Sequence, residues 1–494
     1  MTADTLVILA TLVAYKLALV GIGFWASRRN RSEDDFFLGG RGLGAWVAGL
    51  SYAASTSSAW VLLGFTGFVY ANGLSALWMV PGIWGGYVVV WRVFGRRLRE
   101  ETAARGHVTI VDFMAAETGG RIKTVIAITS ALLIFFCFIF YIAAQFGAAG
   151  SAFETQLGLP YTESLLIGAA VILVYSLLGG FWAVSVTDML QGTLMALIAV
   201  VLPLAALIAA GGPSGVWAAL SANAPDGYLS LTGPHAGFIF IGFVMGIAAI
   251  GLGPFGQPHL IARLMAVKDE AARRQGFRIA MGWAVIVYIG MVTLALSGRA
   301  LTGGEAPGES LLYLMAADLF PAMLAGLIIA AVLSAVMSTV DSLLIATSAA
   351  VGHDMGVVRR FPGREVLIAR IVMAVLVGLA VALALALPAT IFSRVLFAWS
   401  ALGAAFGPVV LVRVMQREPA GWAILAAIAS GFSVTVFFYL AGQISGDSWA
   451  GQLARLPGDP FERLVPWILP LVLLFAVSRR AAKPSSTLPN PGRV

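Results

Sequence analysis

A cluster of hydroxyl side chains interrupts an apolar stretch that is long enough to cross a membrane. Between Ser51 and Ser58 the sequence reads Ser-Tyr-Ala-Ala-Ser-Thr-Ser-Ser, so five of eight positions carry a serine or threonine hydroxyl. Irregular backbone at membrane depth is tolerated only where it is buried in protein or lines a cavity. Hydroxyl and carbonyl oxygens are suitable ligands for a hard cation such as Na⁺. The segment is therefore a candidate binding site.

Two further polar segments lie in other apolar stretches. Gly251–His259 contains two prolines and three glycines in nine residues, which a regular helix cannot accommodate, although a simple proline kink is the alternative. Ser334, Ser338, Asp341 and Ser342 recur at steps of three and four, which places their oxygens on one face of a helix. The hydroxyls could instead bond back to their own helix. An aspartate at membrane depth is costly and usually marks a site or an ion pathway.

The elements that carry these segments are predicted to be transmembrane helices. The chain has 494 residues, of which 60% are hydrophobic and only 11% are charged, whereas soluble chains carry roughly 25% charged residues. A span needs about 20 apolar residues. This predicts an all-α integral membrane protein with a single domain over 1–480 and a disordered cytoplasmic tail over 481–494. The thirteen candidate spans are centred near residues 16, 56, 85, 138, 170, 198, 248, 288, 334, 376, 403, 430 and 471.

The distribution of basic residues predicts the orientation. If the N-terminus is outside and the spans alternate, 26 of the 31 Lys and Arg residues fall on the cytoplasmic side, four fall outside, and Lys16 lies within the first span. This bias is typical of a plasma-membrane protein, here a bacterial inner-membrane one, with its C-terminus in the cytoplasm. The net charge of +7 therefore reports topology in a lipid bilayer, and no motif indicates a nucleic-acid partner.

The two interrupted segments occupy matching positions in two sets of five spans, 44–211 and 236–414. Because five is an odd number, the second set enters the membrane from the opposite side. Interrupted helices at corresponding positions of inverted repeats are the best indication in a sequence of a transporter's binding site.

Residues for catalysis are not arranged in any recognisable pattern. Cys137 is the single cysteine, and the four histidines are scattered without metal-ligand spacing. The sequence therefore does not predict an enzyme, and it predicts no cofactor other than a coupling ion.

Several motifs resemble those of the sodium/solute symporter family and, within it, the sodium/proline symporters. They run in order from about residue 34 to 415. The matching stretches are Phe37-Leu-Gly-Gly-Arg-Gly-Leu-Gly44, Gly179-Gly-Phe-Trp-Ala-Val-Ser-Val-Thr-Asp188, Phe255-Gly-Gln-Pro-His259, Ala335-Val-Met-Ser-Thr339 and Ala398-Trp-Ser-Ala-Leu-Gly-Ala-Ala-Phe-Gly-Pro408.

The resemblance implies a LeuT-type fold of five-plus-five inverted repeats with alternating access. It also implies a sodium site and an aspartate, Asp188, on the ion release pathway. As an alternative, Asp188 could be an acid at a helix N-terminus, stabilised by the helix dipole. The implied sodium ligands are the backbone oxygens of Ala54, Ser57 and Ala335 and the hydroxyls of Ser338 and Thr339.

The substrate site implied by the resemblance matches only in part. Tyr141, Ser58 and Pro258 agree with the proline transporters, which carry aspartate, tryptophan and tyrosine where this chain has Thr56, Ile250 and Pro254. These six residues are the predicted substrate contacts. We expect Na⁺-coupled uptake of a small organic solute, proline or a related amino acid. The alternatives are a Na⁺- or H⁺-coupled symporter of monocarboxylates or other small solutes, and a transporter-like solute sensor.

Overall fold

The computed structural model describes residues 3–27, 33–177, 180–306, 308–386, 390–444 and 448–480. Within these ranges the chain is almost entirely helical, and one pair of two-residue antiparallel strands joins Arg417–Glu418 to Arg479–Arg480. The tail over 481–494, predicted to be disordered, lies outside the described residues.

The helices follow one another with short connections. The α-helices are Ala3–Ser27, Glu33–Leu38, Ala45–Ala59, Thr66–Asn72, Met79–Val89, Gly95–Arg105, Ile110–Met114, Gly120–Leu157, Tyr161–Ser176, Phe181–Ala209, Gly212–Asn223, Gly237–Ala248, Pro258–Ala266, Glu270–Thr302, Leu311–Leu319, Ala322–Ala349, Val357–Arg360, Glu365–Ala386, Ile391–Val414, Gly421–Gln443, Trp449–Ala454, Pro460–Arg463 and Val465–Val477. Segments Gly39–Arg41, Gly73–Trp78, Ala249–Gly256 and Gly308–Ser310 are 3₁₀-helical, and Trp60–Phe65, Val90–Phe94 and Ala350–Asp354 are π-helical.

The helices identify a multi-pass membrane protein. In the described part of the chain, ten helical segments are long and apolar enough to cross a membrane. One of them, Ala45–Arg105, has 61 residues, about three times what a single span needs, and it contains the 3₁₀ segment Gly73–Trp78. Two shorter apolar helices are Leu9–Leu19 and Tyr161–Val174. These criteria therefore do not establish the predicted number of thirteen spans.

Two helices form the centre of the molecule. The apolar windows of Ala322–Asp354 and Ile391–Val414 are 83% and 94% buried within the protein, whereas those of the other spans are half buried or less. The outer helices expose apolar side chains, as expected where lipid is the surrounding solvent. We call Ala322–Ala349 the serine helix and Ile391–Val414 the Trp399 helix, after the residues that each brings to the centre.

The first broken helix, Ala45–Ala59 and its π-helical continuation Trp60–Phe65, is less irregular than the sequence predicted. The backbone is helical up to Ser57, and Ser58 alone departs from it, with φ 50° and ψ −170°. A non-glycine residue at positive φ is uncommon and costs backbone strain. The expectation of unwound backbone throughout Ser51–Ser58 is thus wrong in extent, because only the last residue breaks the helix.

The second broken helix spans Gly237–Ala266 and is interrupted where the sequence predicted. Its 3₁₀ segment Ala249–Gly256 is followed by the extended residue Gln257, and a new α-helix begins at Pro258. Pro258 occupies the first turn of that helix, where a missing N–H costs nothing. The interruption is packed tightly against the Trp399 helix, because a Cβ atom on Gly253 would lie 1.8 Å from the indole nitrogen of Trp399.

Replacement of Gly253 by alanine should therefore destabilise the protein. The added methyl group overlaps the Trp399 ring, and overpacking of this kind costs about 1–3 kcal/mol. Thermal unfolding of the detergent-purified protein should show a lower midpoint for Gly253→Ala. Gly282→Ala is the matched control, since a Cβ atom there meets no neighbour within 4 Å. Equal midpoints for the two variants would contradict the packing described here.

Candidate functional site

The break at Ser58 redirects backbone hydrogen bonds in the turn that holds two of the predicted sodium ligands. The N–H of Ala59 donates to Oε1 of Gln145 at 3.2 Å, and the N–H of Trp60 donates to Oγ of Ser58 at 3.0 Å. In an uninterrupted helix the N–H of Ala59 would bond to the carbonyl of Ser55. The turn that includes the carbonyls of Ala54 and Ser57 has therefore lost part of its regular hydrogen bonding.

The serine helix contacts this turn through Ser55. The Oγ of Ser55 lies 3.4 Å from the carbonyl oxygen of Ser338 and 3.1 Å from the Oγ of Ser342. On the serine helix, Ser338 donates back to the carbonyl of Ala335 at 3.1 Å. The five predicted sodium ligands are thus distributed over two helices that touch each other at this level.

Two hydroxyls of the predicted sodium-ligand residues are buried without a hydrogen-bond partner among the described residues. They belong to Ser57 on the first broken helix and Thr339 on the serine helix, and both residues have no solvent exposure. Buried polar groups are normally hydrogen-bonded, so an unpaired hydroxyl calls for an explanation such as an ion. We define the sodium cluster as Ala54, Ser57, Ala335, Ser338 and Thr339.

Asp188 lies next to this cluster and not at a helix end. Its helix begins at Phe181, so the aspartate is two turns inside, beyond the reach of the dipole of the first turn. The alternative of an N-terminal acid is therefore wrong. Its Oδ2 accepts hydrogen bonds from Ser51 at 2.7 Å and from Ser55 at 3.4 Å. The hydroxyl cluster at 51–58 thus serves Asp188 as well as the predicted ion ligands.

Sequence reasoning missed the main partner of Asp188, which is Arg263. The Nη2 of Arg263 donates to Asp188 Oδ2 at 2.8 Å, and the two side chains are 1% and 0% exposed. Arg263 also donates from Nε to Ser51 Oγ at 2.7 Å and from Nη2 to Ser342 Oγ. A buried arginine that reaches three other helices is a structural constraint on all of them. In the sequence, Arg263 stands at the start of a basic segment, 263–278, and the charge pattern alone predicts a cytoplasmic loop there.

The predicted substrate residues do not all meet. Thr56, Tyr141, Ile250 and Pro254 line one cavity of about 350 Å³, whose other walls are Trp60, Ile83, Gly251, Tyr288, Val395, Leu396 and Trp399. Ser58 is not among the lining residues, because its hydroxyl caps the N–H of Trp60. Pro258 lines a different cavity together with Arg263. The aromatic walls Trp60, Tyr288 and Trp399 were not predicted, since they come from helices whose sequences look like ordinary apolar spans.

Trp399 fixes the unwound part of the second broken helix beside the cavity. Its indole Nε1 donates to the carbonyl of Ile250 at 2.9 Å, and its own carbonyl accepts a hydrogen bond from Nε2 of Gln257 at 3.1 Å. The 3₁₀ segment and the extended residue that follows it are thus each bonded to the Trp399 helix. This arrangement satisfies backbone and side-chain groups that the missing helical turn leaves free.

A second cavity, of about 430 Å³, extends from the buried ion pair toward the end of the molecule that carries the segment 95–123. Arg263 and Ser342 lie at its inner end, and Thr109, Ile110 and Asp354 lie at its outer end. It is the feature of the described structure that best fits the ion release pathway predicted for Asp188.

Comparison with known proteins decides the family. The family model described as the sodium:solute symporter family matches residues 36–428. The chain belongs to this family. The osmoregulated proline transporter OpuE of Bacillus subtilis (strain 168) is 32% identical over 499 residues, with 97% of both chains covered. The sodium/proline symporter of Escherichia coli (strain K12) is 32% identical over 466 residues, covering 92% of this chain and 90% of the relative.

Solved structures agree on the fold. A Na⁺-coupled sialic acid symporter in a substrate-bound outward-open state superposes with a TM-score of 0.78 at 16% identity, covering 97% of this chain and 99% of that one. MhsT in complex with L-phenylalanine gives a TM-score of 0.54 at 14% identity, covering 88% and 99%. The architecture is therefore the LeuT-type fold of five-plus-five inverted repeats, as predicted. The repeat boundaries at 44–211 and 236–414 stay a prediction.

Removal of one charge of the Asp188–Arg263 pair should destabilise the protein more than removal of both charges. Arg263→Gln leaves a carboxylate buried without its counter-charge, which costs about 3–5 kcal/mol in known cases. The double variant Asp188→Asn with Arg263→Gln removes both charges and should recover at least half of the lost thermal stability.

Arg96→Gln is the control for this prediction, because Arg96 forms a solvent-exposed pair with Glu100. Its unfolding midpoint should equal that of the wild type. If Arg263→Gln is as stable as the wild type, or if the double variant is no more stable than the single one, the pair does not constrain the fold.

Proposed function

We propose that this protein couples the inward movement of Na⁺ to the uptake of a small zwitterionic amino acid, proline or a close relative, across the bacterial plasma membrane. The names of the relatives, which include proline transporters and sodium/proline symporters, support proline as the first candidate. The bias of Lys and Arg supports an orientation with the N-terminus outside and the C-terminus in the cytoplasm.

One observation carries the proposal: three consecutive residues connect the sodium cluster to the cavity. Ser55 contacts the serine helix, Thr56 lines the cavity, and Ser57, whose carbonyl is a proposed sodium ligand, is fully buried. An ion bound by the carbonyl of Ser57 and a solute beside Thr56 would therefore order the same turn of the first broken helix. Each ligand would then raise the affinity for the other by the same factor.

The lining of the cavity favours a solute without net charge. Among the described lining residues none carries a charged side chain, and four are aromatic. A zwitterion suits such an uncharged lining because it brings its own counter-charge.

The ion would leave along the second cavity. Arg263 lines this cavity and holds Asp188 behind it, so an ion that moves from the sodium cluster toward the cavity would pass the Asp188 carboxylate. If Asp188 binds the leaving ion, it would release Arg263. Ion release would then be linked to separation of the two helices that carry these residues. The outer end of this cavity is the cytoplasmic end in the proposed orientation.

Uptake into proteoliposomes tests the proposal. With the purified protein, an inwardly directed Na⁺ gradient should drive radiolabelled proline above its equilibrium level, and replacement of Na⁺ by choline should abolish accumulation. Uptake at the full rate without Na⁺ in an imposed proton gradient would show that the proposed coupling ion is wrong. Accumulation of other small solutes but not proline would overturn the proposed substrate.

The double variant Ser338→Ala with Thr339→Ala tests the sodium cluster itself. Because it removes two of five proposed ligands, the Na⁺ concentration for half-maximal uptake should rise about tenfold or more, which corresponds to roughly 1.4 kcal/mol. Thr347→Ala on the same helix is the control, since its hydroxyl only bonds back to the carbonyl of Leu343. An unchanged Na⁺ dependence in the double variant, at wild-type protein levels, would remove these residues from the ion site.

A further inference from the structure

A group of metal-ligating side chains lies at the outer end of the second cavity, away from the sodium cluster. It consists of Asp112, His353 and Asp354, each of which offers one ligand atom, and these atoms all lie within 4.8 Å of one another. Asp112 belongs to the short helix Ile110–Met114, and the other two end the π-helical segment Ala350–Asp354. No sequence pattern indicates this group, because 241 positions separate Asp112 from His353.

The backbone holds these side chains in place. Asp112 and Thr109 form a capping box, in which Thr109 Oγ1 accepts from the N–H of Asp112 at 3.1 Å and Asp112 Oδ2 accepts from the N–H groups of Val108 and Thr109. Thr109 Oγ1 also donates to Asp354 Oδ1 at 2.7 Å. The three ligands therefore need little rearrangement to bind a common partner, which lowers the cost of binding.

The group contains more hydrogen-bond acceptors than donors. His353 Nε2 lies 3.0 Å from Asp112 Oδ2, so the carboxylate of Asp354 has no basic partner within this group of three residues. Oδ2 of Asp354 is shielded from solvent and has no hydrogen-bond partner in the described part of the protein.

We propose that Asp112, His353 and Asp354 bind a divalent transition-metal ion of the Zn²⁺ class, at a site separate from that of the transported Na⁺. One imidazole nitrogen and two carboxylate oxygens form a ligand set that such ions prefer. Mg²⁺ instead prefers oxygen ligands in octahedral geometry, so it should bind poorly. The ion would replace the proton of the imidazole at Nε2, and water would complete its coordination.

A bound ion would join two elements that border the outer end of the cavity. Thr109 and Ile110 line it from the start of the short helix, and Ala350 and Asp354 line it from the π-helical segment that follows the serine helix. Holding them together would oppose opening of the cavity at this end. This consequence rests on the proposed function, whereas binding of the metal does not.

Zinc binding to the full-length, detergent-purified protein without a polyhistidine tag tests the proposal. After treatment with EDTA and its removal, Zn²⁺ is titrated in competition with a colorimetric zinc indicator. The wild type should bind one equivalent, which millimolar Mg²⁺ does not displace. Asp354→Asn and His353→Gln should each weaken binding at least tenfold, while His235→Gln, a histidine next to Phe243 far from this group, should leave it unchanged.

Two results would overturn the site. One is the absence of a saturable one-to-one stoichiometry in the wild type, and the other is equal zinc affinity in the wild type and in both ligand variants. Size-exclusion profiles and metal-free unfolding midpoints verify that the variants are folded. Asp354→Asn changes one oxygen to nitrogen and keeps the hydrogen-bonding shape, so it decides the result if His353→Gln does not fold. If the wild type binds zinc as expected but does not accumulate proline with Na⁺, the proposed function is wrong and the metal site is not affected.

Discussion

The hydrogen-bonded ion pair between Asp188 and Arg263 is the constraint on which the rest of the structure depends. Two fully buried charges are tolerated only if each finds a partner and the remaining polar atoms are hydrogen-bonded. Here Ser51, Ser342 and the carbonyl of His259 accept hydrogen bonds from the guanidinium, and Ser51 also donates to the carboxylate, whose Oδ1 has no hydrogen-bond partner among the described residues. Four membrane helices must therefore meet at one point, and this point fixes the level at which the first broken helix faces the serine helix.

The two broken helices carry different parts of the site. The break at Ser58 redirects the N–H of Ala59 to Gln145 beside the sodium cluster, whereas the break before Pro258 forms a cavity wall from 3₁₀ backbone. The Trp399 helix supports the second break through hydrogen bonds to Ile250 and Gln257. Because the proposed ion cluster and the cavity share the turn Ser55–Ser57, we propose that occupancy of one site affects the order of the other. Coupling between ion and solute then needs no long pathway.

The sequence predicted those features that depend on local composition. The length of the apolar stretches predicted a membrane protein, and the glycine and proline content predicted the break at Gly251–His259. It did not limit the first break to Ser58, because five hydroxyl residues among eight positions favour irregular backbone without marking one of them. Arg263 could not be recognised as buried, since a basic residue at the end of an apolar span is usually a topology signal. The cavity walls Tyr288 and Trp399, and the exclusion of Ser58 and Pro258 from the cavity, depend on how distant helices pack.

Linkage between Na⁺ and solute in binding tests the central claim most directly, since it needs no membrane gradient. The thermal unfolding midpoint of the purified protein is measured with Na⁺ alone, with proline alone in choline, and with both, because a ligand that binds the native state stabilises it. The shared turn at Ser55–Ser57 predicts that the shift with both ligands exceeds the sum of the separate shifts. A proline shift that is the same in Na⁺ and in choline would contradict it.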